Sequence, residues 1–425
     1  MNPSWWQPIA VVLAVGLAIG LRFVPKLRGY QFTAWIITAV TAAMIYPQAF
    51  SKWGDFDLQN KWVKLLVVQT VMFGMGTQMS LHDFAGVAKN PRGVLVGIVC
   101  HFSVMPIIGW ALTKILHFEP EIAAGIILIG SCSSGLASNV MAYIAKSNLA
   151  LSVTVTAMTT VVAPFITPLW VKWLVGADVP MSYFAMMMEI IKIVIVPIGA
   201  ALLHDYLKKP DKHGPHLTPA LSPPVTGGER ENVAHASGRK IVLGVALVSA
   251  AWLVFLVGGG WRKLVARLDD NALVAASVLG FFCAAVVFGV VYHWLTCMVT
   301  KLDSWMPVAS MAGIVYFTTI TTAAGRDNLM KVGLLLFLAS AIHNLVGYVF
   351  GYWLSRASGL DKNSSRSVAF EVGLQNGAMA SGLAAQMGKL GTIGLAAAIF
   401  SPWMNVSGSI LANYWRKRPA PADSK

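Results

Sequence analysis

Apolar segments long enough to cross a bilayer recur along almost the whole of this 425-residue chain, and that pattern excludes nearly every soluble architecture. A helical span needs roughly 20 consecutive, mostly apolar residues. About 13 such segments can be read, near residues 4–23, 31–50, 62–80, 93–116, 121–144, 149–175, 181–207, 240–260, 271–298, 306–325, 328–355, 366–387 and 391–415. Charged residues make up 12% of the chain and hydrophobic residues 56%, whereas a soluble domain carries about 25% charged residues. The expected fold class is therefore an all-α polytopic membrane protein.

The net charge of +14, from 32 Lys+Arg against 18 Asp+Glu, would point to nucleic acid in a soluble chain. Here it follows the positive-inside rule, the partner is the lipid bilayer, and no nucleic acid is expected. Alternating the loops places Arg22, Lys26, Arg28, Lys89, Arg92, Lys146, Lys208, Lys209, Lys212, Arg230, Arg239, Lys240, Lys301, Arg356, Lys362 and Arg366 on the inner side, with Arg416, Lys417 and Arg418. The outer side is poorer, its densest group being Arg262, Lys263 and Arg267. The expected topology is multi-pass in the plasma (inner) membrane, N-terminus outside and C-terminus cytoplasmic. The first apolar run lies where a signal peptide would but has no basic residues before it, which suits a retained helix. Residues 208–239 are polar and Pro/Gly-rich and read as a disordered loop. Cys100, Cys132, Cys283 and Cys297 lie in apolar segments without metal-ligand spacing.

Two of the apolar segments are broken by polar and small residues. One break is Gly130-Ser131-Cys132-Ser133-Ser134-Gly135-Leu136-Ala137-Ser138-Asn139; the other is Glu371-Val372-Gly373-Leu374-Gln375-Asn376-Gly377. Paired interruptions of this kind, one in each half, mark a transporter site made from discontinuous helices. Glu371 has no Lys or Arg near it in the apolar part of its segment. A carboxylate at that depth costs about 2.5–3.5 kcal/mol or more, so it requires a cation, a proton or a strong donor network. Gln375, Asn376, Ser138 and Asn139 supply the oxygens a hard cation takes. Ser152 and Thr156, four apart, put two hydroxyls on one helix face; back-bonding to their own helix is the competing use, which suits Thr154 and Thr159 better. Met186-Met187-Met188 reads as packing, Glu189 and Lys192 as a local pair, and His343-Asn344 as an interhelical hydrogen-bonding element.

The runs Gly135–Met141, Asn148–Thr156 and Glu371–Asn376, with Phe73-Gly74-Met75-Gly76, His343-Asn344, Gly347-Tyr348 and Asn405-Val406-Ser407-Gly408-Ser409, resemble the bile acid:sodium symporter family over most of residues 31–207 and 303–417. The resemblance implies ten helices in two inverted five-helix repeats, a core domain with two crossing broken helices, and a panel domain that moves against it. It implies one or two Na+ ions and no organic cofactor. Ser138, Asn139, Ser152, Thr156 and Glu371 match the first sodium site; Glu371, Val372, Leu374 and Gln375 match most of the second, Val372 and Leu374 through backbone carbonyls. On this reading residues 1–30 hold an extra helix, and residues 31–207 hold panel helices (31–80 and 181–207) and core helices (93–175). Residues 240–302 hold an inserted helix pair, 303–417 the remainder (panel 306–325, core 328–415), and 418–425 a cytoplasmic tail. About three spans are thus additional to the family's ten.

The chain departs from the family pattern in its side chains too. His101 precedes Phe102-Ser103-Val104-Met105-Pro106 where the second sodium site usually takes a Gln, so a proton on His101 replacing one sodium is one expectation. Leu136 stands where the bacterial pattern has a Thr, and Met404 where it has a His, next to Asn405. Leu136, Asn376, Met404 and Asn405 are the candidate substrate contacts. The expected function is sodium-coupled secondary transport of a small organic anion, a bile-acid-like, pantoate-like or other carboxylate. The alternative is a proton-coupled or uncoupled transporter or exporter of the same fold. An intramembrane enzyme is disfavoured, because the chain has no Gly-x-Ser-x-Gly elbow and no His-Glu-x-x-His motif. A channel would require an ohmic sodium current.

Overall fold

The computed structural model describes residues 5–24, 31–176, 179, 182–208, 228–267 and 269–418. The helices in chain order are α1 (Trp6–Gly20), α2 (Gln31–Ile45), α3 (Lys61–Gly76), α4 (Leu81–Lys89), α5 (Pro91–Ile115), α6 (Pro120–Ser131), α7 (Ala137–Ile144), α8 (Leu149–Val175) and α9 (Tyr183–Ile190). They continue as α10 (Val196–Leu207), α11 (Gly228–Phe255), α12 (Trp261–Val265), α13 (Asp270–Met298), α14 (Leu302–Ala324), α15 (Arg326–Ala357), α16 (Lys362–Gly373), α17 (Gly377–Gln386) and α18 (Ile393–Arg416). π-Helical turns join α9 to α10 (Ile191–Ile195) and α11 to α12 (Leu256–Gly260).

Among the described residues, 9 helices are long and apolar enough to cross a membrane. The other segments read as spans are α2 and α3, of 15 and 16 residues, and the two broken pairs α6–α7 and α16–α17. The protein is an all-α polytopic membrane protein.

Several boundaries differ from expectation. The segment expected over 31–50 stops at Ile45, because Pro47 disfavours the helical conformation of the residue before it and starts a 3-10 turn instead. A short hairpin pairs Lys52–Trp53 with Phe56–Asp57. The segment expected over 62–80 ends at Gly76, and α4 follows as a separate short helix. A capping box starts it: Ser80 accepts from His82 N at 3.3 Å, and Asp83 accepts from Ser80 N at 2.7 Å. Residues 209–227, most of the stretch read as a disordered loop, lie outside the described residues. From Gly228 the chain is already helical, earlier than the expected start near 240. The Glu, Arg and Ala residues there favour helix but carry no apolar signal.

The helices pack in two groups. The broken pairs α6–α7 and α16–α17 are surrounded by α5, α8, α15 and α18. The second group comprises α1, α2, α3, α9, α10 and α14. They meet where α17 lies against α3 and α9, and α18 against α14. A Cβ on Gly382 of α17 would stand 2.6 Å from a Val68 methyl and 3.3 Å from Ile193 Cδ1, so the two groups touch closely there. The inserted α13 packs on α10 and on α11. Phe73 of α3 meets Phe288 and Tyr292 of α13 edge-on, at centroid distances of 4.9 and 4.7 Å.

Candidate cation and substrate site

The two breaks cross and pair through their backbones. Gly135 N donates to Leu374 O at 3.1 Å and Asn376 N donates to Ser133 O at 2.8 Å, forming an antiparallel bridge between Ser134 and Gln375. Non-helical backbone at membrane depth is tolerable only when enclosed by protein. Cys132, Ser133, Ser134, Leu374 and Gln375 are accordingly all fully buried. Gly135 is required by the close approach, since a Cβ there would lie 2.7 Å from Gln375 O. The second half-helix restarts at an Asn cap: Asn376 Oδ1 accepts from Met379 N at 3.0 Å.

Glu371 is fully buried at this crossing. Ser152 Oγ donates to its Oε1 at 2.5 Å and Thr156 Oγ1 to its Oε2 at 2.8 Å. Asn139 Oδ1 lies 2.9 Å from Ser152 Oγ and 3.2 Å from Thr156 Oγ1. Ser138 Oγ donates to Gly135 O at 2.8 Å and stands 3.3 Å from Thr156 Oγ1. All five residues matched to the first sodium site therefore meet. Thr154 and Thr159 instead bond backbone carbonyls of their own helix, those of Ala150 and Thr156.

Counting protons shows what this cluster fits. Each hydroxyl has one proton, and the Ser138 proton goes to the Gly135 carbonyl. The protons of Ser152 and Thr156 face three acceptors, the two Glu371 oxygens and Asn139 Oδ1. The set is rich in oxygen and poor in protons. It carries one formal negative charge and no thiolate or imidazole, so it suits a hard monovalent cation rather than a transition metal.

The residues matched to the second site lie at the same crossing, within its hydrogen bonds. The Val372 carbonyl accepts from Gln375 Nε2 at 2.8 Å. The Leu374 carbonyl accepts from Gly135 N and, at 3.3 Å, from Ser134 Oγ. Gln375 Oε1 is buried without a hydrogen-bond partner. His101, fully buried, spans both breaks: Nδ1 lies 2.8 Å from the Glu371 carbonyl oxygen and Nε2 2.8 Å from that of Cys132. Carbonyls only accept, so the ring is held by whichever N–H groups it carries.

The four candidate substrate contacts lie on or beside α7, α17 and α18, and α18 packs on both of the others. Asn376 is buried, capping α17 and donating to Ser133 Oγ at 3.3 Å. Asn405 donates to Ser401 O at 2.8 Å within its own helix. Leu136 is half-buried beside the first break and Met404 is buried. The interhelical hydrogen-bonding role read for His343-Asn344 takes the form of a brace on the second break. Asn344 Nδ2 donates to Gly373 O at 2.8 Å, Ser407 Oγ donates to Asn344 Oδ1 at 2.6 Å, and Tyr348 OH lies 3.2 Å from Ser407 Oγ. His343 bonds the Met105 carbonyl at 2.8 Å. Glu189 and Lys192 pair at 3.1 Å, and Met186 and Met187 are buried in packing.

Buried broken helices crossing at a lone carboxylate, inside a bundle of spanning helices, define a membrane transporter. Comparison with known proteins bears out the resemblance read from the motifs: residues 65–223 match the family model of the Sodium Bile acid symporter family. The uncharacterized sodium-dependent transporter YocS of Bacillus subtilis (strain 168) is 27% identical over 402 residues, 94% of each chain. The probable chloroplastic sodium/metabolite cotransporter BASS1 of Arabidopsis thaliana is 26% identical, covering 94% of this chain and 77% of that one. The human ileal sodium/bile acid cotransporter is 23% identical over 320 residues, covering 74% and 66%. The family and these relatives are transporters, not enzymes, and they do not favour the proton-driven or uncoupled alternative.

Proposed function

We propose that the protein is a plasma-membrane symporter that moves a small organic anion together with sodium, and that Glu371, Asn139, Ser138, Ser152 and Thr156 hold the ion. The observation that carries this reading is the oxygen cage closed around Glu371 by two hydroxyls of α8. Sodium binding neutralises the acid and ties α16, α7 and α8 together at the crossing. The anion then binds between a core of α5–α8 with α15–α18 and a panel of α2, α3, α9–α10 and α14. The loaded core moves against the panel, with the N-terminus outside and the C-terminus cytoplasmic. Leu136 and Met404, apolar where the family pattern is polar, favour a substrate with fewer hydrogen-bonding groups at that end. Proteoliposome uptake of candidate carboxylates under an inward sodium gradient tests the reading. Equal uptake with potassium replacing sodium would sink it.

Two mutational predictions belong here. Thr156→Val and Ser152→Ala each remove an oxygen that faces the carboxylate. A hydrogen bond to a charged group is worth roughly 1.5–3 kcal/mol, so each change should weaken sodium activation by about tenfold or more. The readout is the sodium concentration giving half-maximal uptake; the corresponding Thr154→Val change should leave it unaltered.

His101 supports a single-sodium stoichiometry. Its ring already occupies the Glu371 carbonyl, and the oxygen of a Gln is missing from the second site. The Hill coefficient for sodium should therefore be about one, rising toward two in His101→Gln, which restores an oxygen ligand. An unchanged coefficient in that variant refutes the assignment.

A further inference from the structure

An apolar groove of about 400 Å3 runs between the inserted helices α11 and α13, lined by Leu253, Leu256, Val257 and Trp261 on one side and by Ala276, Gly280, Phe281 and Ala284 on the other. That volume lies within the roughly 300–1,000 Å3 of small-ligand sites and is too small for a packed helix. The groove is remote from the crossing, because α11 and α13 pack chiefly on each other and on α10. At its mouth the chain turns sharply at Gly258–Gly260, Gly259 having φ 99°, and enters α12. Trp261 is followed there by Arg262 and Lys263, both exposed, with Arg267 one turn beyond. Among the described residues neither Arg262 nor Lys263 forms a salt bridge. Asp269 is occupied in capping α13 through Ala272 N at 2.9 Å. This basic cluster lies at the opposite end of α11 from Arg239 and Lys240 and is the main departure from the chain's charge asymmetry.

We propose that the groove binds one anionic glycerophospholipid, with an acyl chain along α13 and the phosphate on Arg262 and Lys263. The charge complementarity selects this occupant. An apolar channel alone takes any lipid chain, whereas two exposed cations without a salt bridge among the described residues, beside an interfacial Trp, select an anionic headgroup. The guanidinium of Arg262 suits a phosphate with two parallel N–H donors.

Native mass spectrometry of the purified full-length protein, titrated with phosphatidylglycerol or with phosphatidylcholine of the same chains, tests this. The intact protein should retain one phosphatidylglycerol in clear preference to phosphatidylcholine. Each basic residue near a membrane surface contributes about fivefold, so the double variant Arg262→Gln/Lys263→Gln should lose roughly 20- to 30-fold in phosphatidylglycerol affinity with phosphatidylcholine unchanged. Both positions are exposed, so this variant should fold. Ala276→Leu, which fills the groove, should lower retention of both lipids. Equal retention of the two lipids by the intact protein overturns the proposal, as does an unaltered preference in the double variant. A dimer that dissociates with Ala276→Leu overturns it too, by assigning the groove to a second copy.

Discussion

Glu371→Gln should abolish sodium-dependent uptake, a loss of at least about 100-fold, while the protein still inserts and folds. The amide is isosteric with the carboxylate, and the Ser152 and Thr156 hydroxyls, 2.5 and 2.8 Å from the two oxygens, can turn to accept from its N–H2 group. The cage therefore keeps its shape and loses its charge. A buried carboxylate without a companion is costly, whereas a neutral amide is not, so apparent stability without sodium should be equal or higher in the variant. The separating observation is the sodium-induced rise in melting temperature, present in the parent and absent from Glu371→Gln. Retention of that rise together with normal uptake would remove Glu371 from coupling. Loss of uptake with the rise intact would place Glu371 in the transport step rather than in ion binding.

The second large effect is expected at the crossing itself. Gly135→Ala places a Cβ 2.7 Å from the Gln375 carbonyl oxygen, closer than real contacts allow, and both partners are backbone. The breaks must then separate, straining the bonds from Gly135 N to Leu374 O and from Asn376 N to Ser133 O, at 3.1 and 2.8 Å. Overpacking of this kind costs about 1–3 kcal/mol. The effect on transport should be larger, about tenfold or more, because Ser138 and Glu371 are positioned by the two chains being pushed apart. Gly199→Ala, where a Cβ meets nothing within 4 Å, is the control that should transport normally. Equal activity of the two variants would show that the crossing tolerates displacement.

The sodium readings at His101 and at the α8 hydroxyls depend on the same crossing. Asn344, Ser407 and Tyr348 brace it from α15 and α18 by holding the carbonyl that ends α16. That carbonyl has no successor N–H within the half-helix, so an external donor satisfies it.

The chain by itself determined that it lives in a bilayer, where its spans fall and which acid is out of place. Hydropathy is a property of consecutive residues, and the cost of an unsolvated carboxylate does not depend on which neighbour removes it. Short polar structure was lost to that local view: α4, the hairpin at 52–57 and the first turns of α11 carry little apolar signal. The motifs named Ser152 and Thr156 as companions of Glu371 only through the resemblance; the packing is what brings them within reach, for they lie 219 and 215 residues away in sequence and His101 270. It also decided that His101 bridges the two breaks and that Asn376 is spent as a helix cap. These are contacts between separate helices, fixed by how close Gly135 lets two severed backbones approach, and no stretch of neighbouring residues encodes that distance.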